Sequence, residues 1–163
     1  MGIGQQSYVI WLDDALDAIV TALVDLVQTE VDRGSQGRLE SVESVVRGDR
    51  VRPLPEMPSV WVMSGDAVND HTTQGLAEMW SFDVILAALV TGEDPEVQYR
   101  EATRLAARTR SVVLRDRGLD LPYVRDIVSV RMEPSGPRHT DRKGLFWADA
   151  VVSVRFRIIE PEE

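Results

Sequence analysis

Phe146-Trp147-Ala148-Asp149-Ala150-Val151-Val152-Ser153-Val154-Arg155-Phe156-Arg157-Ile158-Ile159 is the stretch whose reading decides the fold. Phe146, Ala148, Ala150, Val152, Val154, Phe156 and Ile158 fall on one side of an extended backbone. Trp147, Asp149, Ser153, Arg155 and Arg157 fall on the other. That period of two marks a strand with one apolar face. At a rise near 3.3 Å per residue the strand spans about 45 Å. Such a strand is expected to overhang the core of a 163-residue chain and to meet a neighbouring subunit. Catalytic residue types are missing from it, so its message concerns assembly more than chemistry.

Working back from it, the polar turn Glu133 to Gly144 connects it to a strand over Tyr123 to Met132, which predicts a long C-terminal antiparallel hairpin. Before that hairpin, Asp94-Pro95 opens a helix, Asp94 as N-cap and Pro95 at the first helical position where its missing N–H costs nothing. The helix runs to about Arg115, burying Ala102, Leu105, Ala106, Thr109, Val112 and Val113, and Gly118 stops it. Ser59 to Met63 and Leu76 to Val90 read as two further strands joined by the polar loop Ser64 to Gly75, a second hairpin with an extended tip. A first helix covers Leu12 to Val31, with Leu12, Leu16, Ile19, Leu23, Leu26 or Val27 and Val31 on its apolar stripe. Asp13, Asp14 and Asp17 lie at the positive end of its dipole, and Gly34 terminates it.

The region Gly34 to Pro58 is rich in Gly, Arg, Glu and Pro and reads as a long connection, with a short strand available at Val42 to Val46. Its prolines remove ladder donors, so any pairing belongs at a sheet edge. The expected fold is therefore α+β: one domain over residues 1–163, an antiparallel sheet of about four strands with two helices packed on one face, in the order α-β-β-α-β-β. Glu160-Pro161-Glu162-Glu163 is expected to be an acidic fray.

Composition narrows the function. There are no cysteines, which removes disulfides and thiolate metal sites and gives no sign of an oxidising compartment. The longest apolar run, Val84 to Val90, is far short of the ~20 residues of a membrane span, and the N-terminus lacks a signal-peptide pattern. A soluble protein in cytoplasm-like conditions is expected, with no membrane partner. The net charge of −9 argues against general nucleic-acid binding. It suits a surface that duplex must slide past without sticking.

Motifs for catalysis are weak. His71 follows Asp66, Asn69 and Asp70, residue types that bind hard cations or hold a general base, but the spacing matches no metal loop and a solvated loop tip is the plainer reading. His139 lies in Arg138-His139-Thr140-Asp141-Arg142-Lys143, a surface turn. No nucleophile motif is present. Gly2-Ile3-Gly4 precedes no strand-to-helix turn, so it is no phosphate loop. No catalytic, cofactor or metal residue is assigned, and the chain is expected not to be an enzyme.

Residues that point to contacts are clearer. Arg100, Arg104 and Arg108 recur at i, i+4 and i+8, one stripe on the second helix, to be read as pairing with acidic residues of another subunit, as touching phosphate, or as a solvated face paired with Glu96 and Glu101. The turn residues Arg138, Arg142 and Lys143 divide in the same way. Trp147 stands on the polar side of the last strand, either awaiting a partner or covered by a loop of its own chain.

The opening amphipathic helix, Pro58-Ser59-Val60-Trp61-Val62 with its polar hairpin tip, the strand Trp80 to Val90 broken by Thr91-Gly92-Glu93-Asp94-Pro95-Glu96, the second helix and the final hairpin together resemble the tail terminator, or tail completion, proteins of long-tailed bacteriophages. The resemblance spans nearly the whole chain. It implies a virion structural protein forming a ring, a hexamer, that closes the tail tube, with the tube protein and the head-tail connector as partners. It also implies DNA passing through the lumen unbound, no cofactor, and a location in the virion tail after assembly in the host cytoplasm. That family has no short catalytic signature, so no functional residue is carried over. The alternatives are another tail-tube or neck component, a small hydrolase-like enzyme using His71 with Asp66 and Asp70, or a regulatory binding module of α+β type.

Overall fold

Leu145–Ile159 is one unbroken strand, and its alternation sets its two faces: Phe146, Ala148, Ala150, Val152, Val154, Phe156 and Ile158 are all buried. The computed structural model describes residues 8–48, 54–72, 77–140 and 144–162, with the backbone alone at 71 and 72. Its elements are β1 (Tyr8–Val9), α1 (Leu12–Asp32), a 3-10 turn (Gly34–Gln36), β2 (Ser44–Arg47), β3 (Ser59–Thr72), β4 (Glu78–Thr91), α2 (Pro95–Leu114), β5 (Val124–Glu133) and β6 (Leu145–Ile159).

Four antiparallel strands form the centre, as expected: β3 pairs with β4, β4 with β6, and β6 with β5. The sheet is nevertheless six-stranded and mixed, not a purely antiparallel one of about four, because β2 adds to β3 and β1 adds to β6, both in parallel. Segments of 4 and 2 residues are too short to leave a period in the sequence. β2 does lie at an edge, inside the connection that precedes Pro58. That connection also sends Leu39 and Val42 into the core, and Glu43 N–H donates to the Pro58 carbonyl at 2.7 Å.

The expected overhang of β6 is not found. β4 follows one of its edges from Leu145 to Ile158, while β5 and then β1 take successive lengths of the other. β4 is matched in turn by β3, which continues through Ser64 to Thr72, the segment read from sequence as a loop. Ladder hydrogen bonds to β4 extend β3 through this segment, whose residues from Ser64 to Asp70 are mostly exposed and polar and so break the period. Register shifts between Ser64 and Ala67 and between Asn69 and His71 mark bulges in that outer half.

Both helices lie on one face of the sheet, and their apolar stripes merge with Val60, Val62, Val84, Leu86, Val152 and Phe156 in one continuous core. Fully burying a side chain such as Phe156 contributes about 1.5–3 kcal/mol. α2 buries the six residues read from its periodicity, and the Asp94 carboxylate accepts the Glu96 N–H at 3.1 Å as an N-cap. α1 has no cap of its own: Trp11 occupies the position, and Glu160 Oε2 accepts the Leu12 N–H at 3.4 Å from the far end of the chain. The residue read as the start of an acidic fray thus holds a helix terminus, where negative charge is favoured. At the other end Gly34, at φ +56°, turns the chain out of the helix. Glu30 fixes the segment that follows: Oε1 accepts the Arg38 N–H at 3.0 Å and Oε2 an Arg33 guanidinium N–H at 3.1 Å.

Candidate functional site

The face of the sheet turned away from the helices carries the residues between the buried ones. Register aligns them in rows. Trp61 lies opposite Ala87, Ala87 opposite Asp149, and Asp149 opposite Glu133. In the neighbouring row Leu89 lies opposite Trp147. Because Ala87 has only a methyl group, the row dips between the Trp61 indole and the Asp149 carboxylate. Trp61, Met63, Ala87, Leu89, Trp147 and Asp149 line the resulting groove of about 190 Å³. Both indoles are half-buried and stand beside open space.

Electrostatics at the Asp149 end are unbalanced. Glu133, its cross-strand neighbour, is served by Arg131 Nε at 3.1 Å and faces His139 Nε2 at 3.8 Å. Asp149 has no hydrogen bond or ion pair among the described residues. Burial raises its pKa above the ordinary carboxylate value, the Glu133 charge adds to the rise, and His139 and Arg131 oppose it. The arrangement offers an apolar, aromatic recess with one carboxylate that has no hydrogen bond or ion pair of its own among the described residues, chemistry that suits a cationic side chain.

Across the molecule, Arg100, Arg104 and Arg108 do form one stripe along α2, on the helix side of the sheet. Arg100 and Arg104 are exposed. Arg104 meets Glu101 at 3.5 Å, and Arg108 donates to the Arg38 carbonyl at 3.4 Å. The lower part of the stripe borders a polar cleft of about 380 Å³ that Arg38, Glu40 and Ser41 close from the segment after α1. Arg138 is exposed in the turn before β6, whereas Arg142 and Lys143 lie outside the described residues. Trp147 is neither core nor free: His139 of that turn meets its ring edge-on, centroids 5.9 Å apart, and the Trp147 backbone N–H donates to the His139 carbonyl at 3.2 Å.

The acidic residues near His71 are not gathered. Asp66 and Asp70 both belong to β3, and four residues of extended strand separate their backbones by roughly 13 Å. Asp70 accepts a short hydrogen bond from the Ser81 hydroxyl. The His71 side chain lies outside the described residues. Among the described residues no group of three or more His, Asp or Glu is placed to hold a metal ion, and no helix is long and apolar enough to cross a membrane.

Sequence reasoning picked out Trp147 but missed Trp61, Met63, Leu89 and Asp149 as its companions. The available signal was phase, since Trp61 sits between the core residues Val60 and Val62 and Leu89 between Ala88 and Val90. Joining three strands into one row needs the register, which only the folded sheet supplies.

No protein-family model and no curated protein matches the chain. A chain of the virion of native gene transfer agent (GTA) particle is similar in structure, with a TM-score of 0.54 at 14% identity, over 86% of this chain and 98% of that one. The chain therefore shares its fold, over nearly all its length, with a component of that virion.

Proposed function

We propose that this protein is a virion structural protein of phage type, a tail terminator that assembles as a ring, a hexamer, to close the tail tube and join it to the head connector. The observation that carries the reading is the shared fold with a component of the GTA virion along nearly the full length of both chains. The element order resembling tail terminators and the contact-rich surface features support the same role. The net charge of −9 agrees with a lumen through which DNA passes without binding. In this reading the protein does no catalysis, needs no cofactor, and resides in the virion tail after assembly in the host cytoplasm.

The likeness is to a component of a whole virion, so it equally supports another tail-tube or neck protein. Purified protein mixed with purified tail tubes and imaged by negative stain separates the two. A terminator adds one ring at one end of each tube. Incorporation along the tube, or binding to the connector alone, transfers the assignment to a tube or neck protein, and binding to neither overturns the virion reading.

A further inference from the structure

We propose that the groove on the open sheet face is one half of a subunit contact, and that it receives an arginine from the α2 stripe of a second copy of this chain. The proposal rests on the ring reading and names the surfaces that would close such a ring. Three observations lead to it.

The groove's chemistry selects a cation. The Trp61 and Trp147 indoles flank it, and a guanidinium lying against an indole face is attracted by the ring quadrupole. Asp149, at one end, offers a carboxylate to such a guanidinium, and its nearest ionic partners are engaged with Glu133 instead. Burial has already made Asp149 reluctant to stay charged alone, so an arriving cation relieves an unfavourable state.

The chain itself carries the matching cation. Arg100 is exposed and forms no ion pair among the described residues, and Arg104, 55% exposed, has only the 3.5 Å contact with Glu101. On a chain of net charge −9, a run of arginines at helical spacing is a local exception that would attract the acidic end of the groove.

The two patches point in opposite directions. α2 packs against the inner face of β4, β5 and β6, and the groove is built from the outward residues of β3, β4 and β6. A head-to-tail contact needs two different patches on one subunit, and when its rotation closes it makes a ring.

Solution mass over a concentration series tests this, with circular dichroism as the control for folding. Four proteins are compared: the parent, Asp149→Asn, Ala87→Leu, which fills the groove without changing charge, and Arg100→Asp/Arg104→Asp. Each variant is expected to associate at least tenfold more weakly than the parent. Asp149→Asn is the most discriminating, because removing an unpaired, partly buried charge should leave the monomer at least as resistant to denaturant while assembly is lost. An equimolar mixture of Asp149→Asn with Arg100→Asp/Arg104→Asp retains one intact groove facing one intact stripe, so it should yield dimers and no ring. A parent that assembles while folded Asp149→Asn and the arginine variant assemble equally well overturns the proposal and leaves the ring reading standing. A parent that stays monomeric at every concentration overturns the proposal, and if it also adds no ring to purified tail tubes it overturns the ring reading as well.

Discussion

Glu30 shows how a single buried carboxylate ties one element to the next. Its two oxygens accept from Arg38 N–H and the Arg33 guanidinium, and the residue is only 7% exposed. The hydrogen bond from the Arg38 backbone is the largest cause holding its pKa below the ordinary value of 4.5. Arg33 and Arg115 add to the lowering and burial opposes it. A depressed folded-state pKa means that the stabilisation is fully present above the ordinary value and is lost as pH falls through the folded one. Glu30→Gln keeps the shape and loses the charge, so at neutral pH it should cost about 1.5–3 kcal/mol, the range for hydrogen bonds to charged groups. Urea titrations of parent and variant should converge in acid; a difference that does not change with pH would mean that the charge of Glu30 is not what stabilises the segment. Neither the pairing nor its strength was legible in the sequence, because Arg38 reaches Glu30 through a turn at Gly34 whose path depends on the folded chain. By contrast, Asp94 as an N-cap was legible, since cap, proline and first turn are adjacent residues.

At the scale of elements, the contrast lies between strands covered by helices and strands reaching past them. The inner residues of β6 and the buried stripe of α2 were readable because burial on one side imposes a period. Val152 and Phe156 are fully buried, so Val152→Asp or Phe156→Asp places an unpaired carboxylate in the core and should prevent folding. Retention of a cooperative thermal transition in Val152→Asp would contradict this account of the faces. The outer half of β3 was not readable, because its residues from Ser64 to Asp70 are mostly exposed and carry no apolar period, which leaves ladder hydrogen bonds to define it, whereas its partner β4 was read as a strand from Leu76 to Val90. Side chains there have little to stabilise. Asp70→Ala, which removes only an exposed contact with Ser81, should shift stability by less than about 0.5 kcal/mol and leave assembly unchanged. From the sequence, where no ligand spacing matches a metal loop, the same is expected of His71→Ala, and loss of a bound metal or of a measured activity in either variant would revive the enzyme alternative.

For the whole molecule, the groove and the arginine stripe would matter together in the proposed ring, because a closed ring repeats one contact at every junction. Each half of that site was visible in part: the stripe from its i, i+4, i+8 spacing and Trp147 from its position among polar residues. What joins Trp147 to Trp61 is a three-strand register with Ala87 as the gap, a property of pairing that no single segment contains. Exposed ion pairs contribute only about 0–1 kcal/mol each, and charges further apart than about 8 Å are screened at physiological ionic strength. Losses that are small at one junction multiply around a ring. Arg104→Glu/Arg108→Glu reverses two charges of the stripe and also removes the Arg108 contact with the Arg38 carbonyl, while touching no core residue. The folded monomer should therefore survive with its circular dichroism spectrum unchanged, and the ring should weaken most at low salt, where the parent's attraction is strongest. As salt rises, the parent should lose assembly and approach the variant. Assembly of the variant equal to that of the parent at every salt concentration would make the stripe a solvated helix face and would move the subunit contact elsewhere on the molecule.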